Sequence, residues 1–222
     1  MYFQFLIEDK STEILVKHVM EKLQTLYPEK TIYYNSRSYA GIGTLKAEGS
    51  LYERKGGMLL NNLRAYLRGF DRSLSDIPDA AIVVVLDNDK RDYETFKSQL
   101  EQAAKESVML TDYVFCIAVK EMEAWLLGDE KAIIGAYPLA KRKYLDEYEQ
   151  DGICDTWQVL ADMVYPRGLR GLKKKAGTAY AEIGRAKCEW ADKIGCLLDL
   201  DNNNSPSFCR FIQELRLRIE AA

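Results

Sequence analysis

Residues 80–89 read AAIVVVLDND, and this stretch decides the class of fold. A nearly unbroken β-branched run, introduced by Pro78 and closed by Asp87, suits a strand buried on both faces at the centre of a parallel sheet. The flanking chain agrees. Residues 2–7 (YFQFLI) read as an apolar strand ending at Glu8, residues 112–119 (DYVFCIAV) as another, and residues 31–34 (TIYY) as a short one. Between them, apolar residues recur at helical spacing: Ile14, Leu15, Val19, Leu23 and Leu26 ahead of Pro28, then Leu59, Leu63, Tyr66, Leu67 and Phe70, then residues 91–106. Strand–helix–strand alternation over residues 1–120 predicts an α/β core, its sheet mostly parallel and covered by helices on both faces. Beyond Val119 the alternation stops. Residues 121–128, 155–165, 178–195 and 206–220 read as helices, with a Gly/Lys/Arg-rich stretch at 167–177 between them, so 121–222 is expected to be a helical region packed on the core.

Composition narrows the chemistry. The 222 residues are 47% hydrophobic, ample for a core, yet no apolar run approaches the roughly 20 residues that cross a bilayer. The start, MYFQFLIEDKSTE, lacks the basic, apolar and small-residue segments of a secretory signal, so a cytoplasmic protein without a membrane partner is expected. Cys116, Cys154, Cys188, Cys196 and Cys209 form no CxxC pair, which fits free thiols in a reducing compartment. His18 is the single histidine, so any metal should be a hard, oxygen-liganded Mg2+ or Mn2+. The net charge of -3 does not advertise nucleic-acid binding, but an acid-based metal site and basic patches coexist readily in one chain.

The acids fall where an open parallel sheet places its functional crevice, at strand carboxyl ends. Asp87 and Asp89 stand at i and i+2, and in extended backbone that spacing points both to one side. Two adjoining carboxylates repel unless protons or a cation intervene. The plainer reading is a polar strand end that caps the next helix; Glu8, ending a neighbouring strand, tips the balance to a metal site. Glu13 lies in the first turn of the first helix, where the helix dipole alone would favour it. Glu121 and Glu123 open the EMEAWLL segment, whose Met122, Trp125 and Leu126 share an apolar face; Glu123 lies off that face. Residues 36–57 contain Gly41, Gly43, Gly49, Gly56 and Gly57 and read as a long loop, a length that is often functional.

A strand ending in glutamate, followed by an apolar strand ending in DxD within an alternating α/β chain, resembles the Toprim domain of topoisomerases, bacterial primases and several nucleases. The ordered set EDKSTE (8–13), DND (87–89), EMEAW (121–125) and SPSF (205–208) is similar to a small stand-alone Toprim-like family of bacterial proteins. The resemblance implies a Toprim-like, Rossmann-type sheet and a Mg2+- or Mn2+-dependent nuclease acting on RNA or DNA. It implies Glu8 as general acid/base or metal ligand, Asp87 and Asp89 as metal ligands, and Glu13 and Glu123 as further ligands. Related groups act as nuclease effectors beside ATPase partners in anti-phage defence, so an ATPase is an expected partner, with a homodimer among the assemblies open to the chain. Two departures stand out: Asp9 replaces the glycine common after the first glutamate, and Arg91 replaces the third aspartate of topoisomerases, which argues against topoisomerase chemistry.

Basic residues cluster at Lys141, Arg142 and Lys143, and at Arg167, Arg170, Lys173, Lys174 and Lys175. Either cluster could meet phosphates or be a solvated loop. Ser205 and Pro206 read as N-cap and first residue of the last helix. The competing readings are a nucleotidyl transferase or nucleotide hydrolase, and a non-catalytic regulatory subunit that binds a partner. No Walker loop is present.

Overall fold

The computed structural model describes residues 1–39, 41–45, 58–177 and 181–222. Four strands, β1 (Tyr2–Ile7), β2 (Tyr33–Ser38), β3 (Ala80–Asp87) and β4 (Asp112–Ala118), form one sheet in the order β2-β1-β3-β4. Every pairing is parallel, with Ile7 level with Ser38 on one side and Val85 on the other. β3 is central and buried from Ala81 to Asp87, which is why its sequence shows no alternation.

Helices cover both faces. On one, Leu6, Ile82, Val84 and Leu86 pack against α2 (Leu63–Leu74), which a single 3-10 turn at Leu59–Asn62 precedes, and α3 (Tyr93–Ser107). On the other, Phe3, Phe5, Ile7, Val83 and Val85 meet α1 (Lys10–Leu26), whose Leu15, Val19 and Leu23 recur every four residues. The same continuous apolar cluster takes in the C-terminal helices α4 (Glu123–Leu127), α5 (Glu130–Ala136), α7 (Thr156–Val164), α9 (Ala181–Gly195) and α10 (Pro206–Ala221). α9 packs closely on α1, because a Cβ at Gly195 would sit 3.0 Å from Leu15 Cδ1.

Several expectations are corrected. The second strand is Tyr33–Ser38 rather than 31–34; Tyr33, Asn35 and Arg37 are exposed while Tyr34, Ser36 and Ser38 are half-buried, a half-covered edge whose polar alternation hides the strand. The stretch 167–177 is not a connector but the helix α8 (Gly168–Ala176). The Asp162 carboxylate accepts from Leu169 N at 2.8 Å, Leu172 and Ala176 bury at i, i+4, and the lysines occupy the last turn, where the helix dipole favours cations. α5 and a short α6 (Lys143–Asp146) lie between the helices expected at 121–128 and 155–165; Asp129, accepting from Ala132 N, is the N-cap that marks α5. Most of the glycine-rich 36–57 segment, including Gly49, Gly56 and Gly57, lies outside the described residues. Gly41 and Gly43 adopt positive φ, and a Cβ at Gly43 would come within 2.5 Å of Met58 Cβ.

The EMEAW and SPSF segments, some eighty residues apart, meet. Ser205 accepts from Phe208 N as N-cap of α10, with Pro206 in the first turn. Ser207 Oγ accepts from the buried Trp125 indole N–H at 2.8 Å and from Val119 N at 3.3 Å, while Phe211 stacks on Trp125 at 5.0 Å. This contact fixes α10 to the end of β4 and to α4. Ser207→Ala would leave both buried donors without that acceptor, costing about 1–3 kcal/mol. Urea unfolding should show that loss, and a change under ~0.5 kcal/mol would contradict it.

Candidate metal centre

After β1 the chain moves outward to β2 and then crosses back over β1 to β3, so the β1/β3 junction is where the connections diverge. Such a switch point opens a crevice at the strand carboxyl ends. Glu8 and Asp87 stand there side by side. The Asp87 backbone N–H donates to Glu8 Oε2 at 2.9 Å, and the Glu8 backbone is held from both sides, its N–H on Val85 O and its carbonyl accepting from Gly41 N. Asp87 is only 7% exposed. Burial raises the Glu8 pKa to about 7; the Asp87 N–H opposes the rise, and the Asp9 and Asp89 charges add to it. Burial also lifts Asp87 well above the ordinary carboxylate range, and the charges of Glu8, Asp9 and Glu123 push in the same direction.

Glu123 completes the group. It is 0% exposed, because every side of α4 is buried, including the one away from Met122, Trp125 and Leu126. Among the described residues, neither carboxylate oxygen has an aligned hydrogen-bond donor. Its nearest counter-charge is Lys187 of α9, whose Nζ lies 3.1 Å from Oε1 in an ion-pair contact. Burial raises Glu123 to about 7 despite that lysine, with Glu121 and Asp9 contributing. Lys187 is shifted upward: the charges of Glu123, Asp87, Asp9 and Glu121 together outweigh the burial that would lower it.

The other predicted acids are placed differently. Asp89 adopts φ 51, so the extended backbone that would aim both DxD carboxylates to one side ends at Asn88. Its side chain pairs with Arg91 at 2.9 Å, so the arginine two residues on offsets its charge. Glu13 turns to β2, accepting from Ser36 and Ser38 at 2.8 Å and from Lys10; burial alone would raise its pKa, and these donors together carry it below the usual value. Asp9 caps α1, accepting from Thr12 N and Ser11 Oγ. Glu121 accepts from Asp155 N, Thr156 Oγ1 and Trp157 N, holding the start of α7 against the end of β4. A cleft of about 460 Å³ opens beside these loops, lined by Asp89, Lys90, Arg91, Glu121, Cys154 and Asp155.

The basic residues Lys141, Arg142, Lys143, Arg167, Arg170, Lys173, Lys174 and Lys175 are all exposed. α7 gathers the two clusters: Lys141 N donates to Met163 O near its C-terminus, and Asp162 caps α8. α8 then runs back, bringing the Lys173 ammonium within 5.9 Å of the ring of Trp157, the residue whose N–H reaches Glu121.

The sequence reading leaves Lys187 out of the site. Lys187 had a readable signal: it precedes Trp190, Ala191 and Ile194 by three, four and seven residues, so it occupies the buried stripe of α9.

The donors suit a hard cation, being carboxylates with orphaned buried oxygens at Glu123. They are not a preformed cage: among the described residues no group of three or more His, Cys, Asp or Glu is arranged to hold a metal ion.

Raised carboxyl pKa values carry a stability consequence. Between about pH 4.5 and 7 the folded protein keeps protons on Glu8 and Glu123 that the unfolded chain releases. Their favourable contribution is therefore complete below that window and lost as pH rises through it. Without added metal, wild type should lose on the order of 1–3 kcal/mol more than Glu123→Gln between pH 5 and 7.5 in urea unfolding. Parallel profiles would refute the assignment.

Neither a curated protein nor a solved structure matches the chain. The family model described as a domain of unknown function (DUF4276) matches residues 7–216, from the end of β1 into α10, and the chain belongs to that family.

Proposed function

We propose that this protein is a divalent-metal-dependent phosphodiesterase acting on RNA or DNA. The observation that supports it most is an excess of buried negative charge at the switch point. Asp87 lies within electrostatic reach of both Glu8 and Glu123, and Lys187 is the ammonium set against them. Mg2+ or Mn2+ bound there would neutralise phosphate charge and make bound water acidic. Glu8, Asp87 and Glu123 are the residues that would hold it. Glu8, with its pKa near 7, is suited to taking up and releasing a proton at neutral pH. Asp89 and Glu13, tied to Arg91 and to the β2 serines, would act from the rim.

The same reading gives the basic face its role. Arg170 and Lys174 on α8 are exposed, and α7 connects that face to the acids through Glu121. A polyanionic strand crossing the cleft would run along it. Control by a partner ATPase in anti-phage defence remains part of the proposal, on the resemblance of the four motifs alone.

One observation favours a second reading. The acids are not arranged as a metal cage among the described residues, which suits a regulatory subunit whose buried Glu123–Lys187 pair is purely structural. Cleavage assays separate the two. Wild type with Mn2+ should cut labelled RNA, plasmid or single-stranded DNA, and Glu8→Gln or Asp87→Asn should lower the rate by about 100-fold or more. No cleavage of any of these with Mn2+ would contradict the enzyme reading.

Binding offers an independent check. The Arg170→Ala/Lys174→Ala variant should weaken nucleic-acid binding and reduce the slope of log K against log salt by roughly 1.5–2. An unchanged slope would remove α8 from the interface.

A further inference from the structure

The feature that the proposed chemistry leaves unused is Lys187. It stands on the buried stripe of α9, beside an acid site built from strand ends nearly seventy residues or more away in sequence, and no motif of the chain announced it. Its Nζ lies 3.1 Å from Glu123 Oε1, and the charges of Asp87, Asp9 and Glu121 also act on it. We propose that the Lys187 ammonium is the resident counter-ion of this site and that a divalent cation enters only by displacing it, an inference that rests on the metal-dependent reading above.

Three observations carry the exchange. First, Glu123 is 0% exposed and, among the described residues, both its oxygens lack an aligned donor and Lys187 is the close cation, a contact that a better ligand can replace. A buried carboxylate in that state takes whichever cation serves it best. Second, a dication placed between Glu123 and Asp87 would lie close to the ammonium, and two positive groups at such range in a poorly screened site repel strongly. Third, the lysine can leave while its helix cannot. α9 is seated on α1, with Gly195 against Leu15 and His18, but the Lys187 side chain is 21% exposed and has a path to solvent. Displacement therefore needs only side-chain rotation. Among the described residues the acids are not arranged as a cage; Glu123 is set against the Lys187 ammonium, and Glu8 Oε2 accepts from the Asp87 N–H.

Calorimetric titration of Mn2+ into the full chain at pH 7.5 tests this. Lys187→Met should bind Mn2+ about 10-fold or more tightly than wild type, and Lys187→Arg, which keeps the charge, should bind like wild type. Equal or weaker binding by Lys187→Met overturns the exchange while leaving the metal site standing. No Mn2+ binding by any of the three proteins overturns both. A measurement on wild type alone guards against a variant that fails to fold. Acetylation of Lys187 by acetic anhydride, read by mass spectrometry of its peptide, should rise several-fold when Mn2+ is added. An unchanged rate, with Mn2+ bound, overturns the exchange.

Discussion

Among the described residues, buried carboxylates at the β1/β3 switch point outnumber the cations beside them, and this imbalance governs the site. Glu8 is pinned by the Asp87 N–H, Asp87 is buried at the end of the central strand, and Glu123, the first residue of α4, is fully buried. Taking such groups out of water disfavours their charged forms, which is why all of them are shifted upward. Proteins tolerate that cost where a charge is needed for function or where a counter-ion offsets it. Here Lys187 offsets part of it and leaves the remainder for protons or a stronger cation.

The rest of the molecule can be understood as support for that arrangement. Glu121 fastens the start of α7 to the end of β4, and Ser207 fastens α10 to Val119 and to Trp125 of α4. Asn88 and Asp89 donate to the carbonyls of Ala118 and Lys120, so the two strand-end loops brace each other. Asp89 and Lys120 both adopt left-handed φ, at 51° and 73°, in those same loops. Strained backbone of this kind persists where surrounding contacts over-determine it and is common at functional sites.

How much of this was legible in the sequence follows from what each residue's position depends on. β1, β3 and β4 are apolar runs with acids at or just beyond their ends, so Glu8 and Asp87 could be placed at the carboxyl edge from periodicity alone. The helical cover on both faces followed from the same alternation. β2 reads as 31–34 rather than Tyr33–Ser38 because an edge strand with one exposed face reads as polar chain, and α8 reads as a connector because its lysines and Gly171 mask a stripe of two buried residues. Asp89 was placed by a rule for extended backbone that its own φ does not obey. Lys187 belongs to the site only because α9 docks on α1, a tertiary fact; a lysine on an apolar stripe was the one trace it left in the chain.

The central claim is that carboxylates from separate strand ends share one cation. Anomalous diffraction from a crystal grown with Mn2+ tests it most directly. The account predicts a single-site or paired peak at the β1/β3 junction, about 2.0–2.3 Å from oxygens of Asp87 and of Glu8 or Glu123, with the Lys187 ammonium turned away. A map with no peak there, and Lys187 still seated on Glu123, would contradict it.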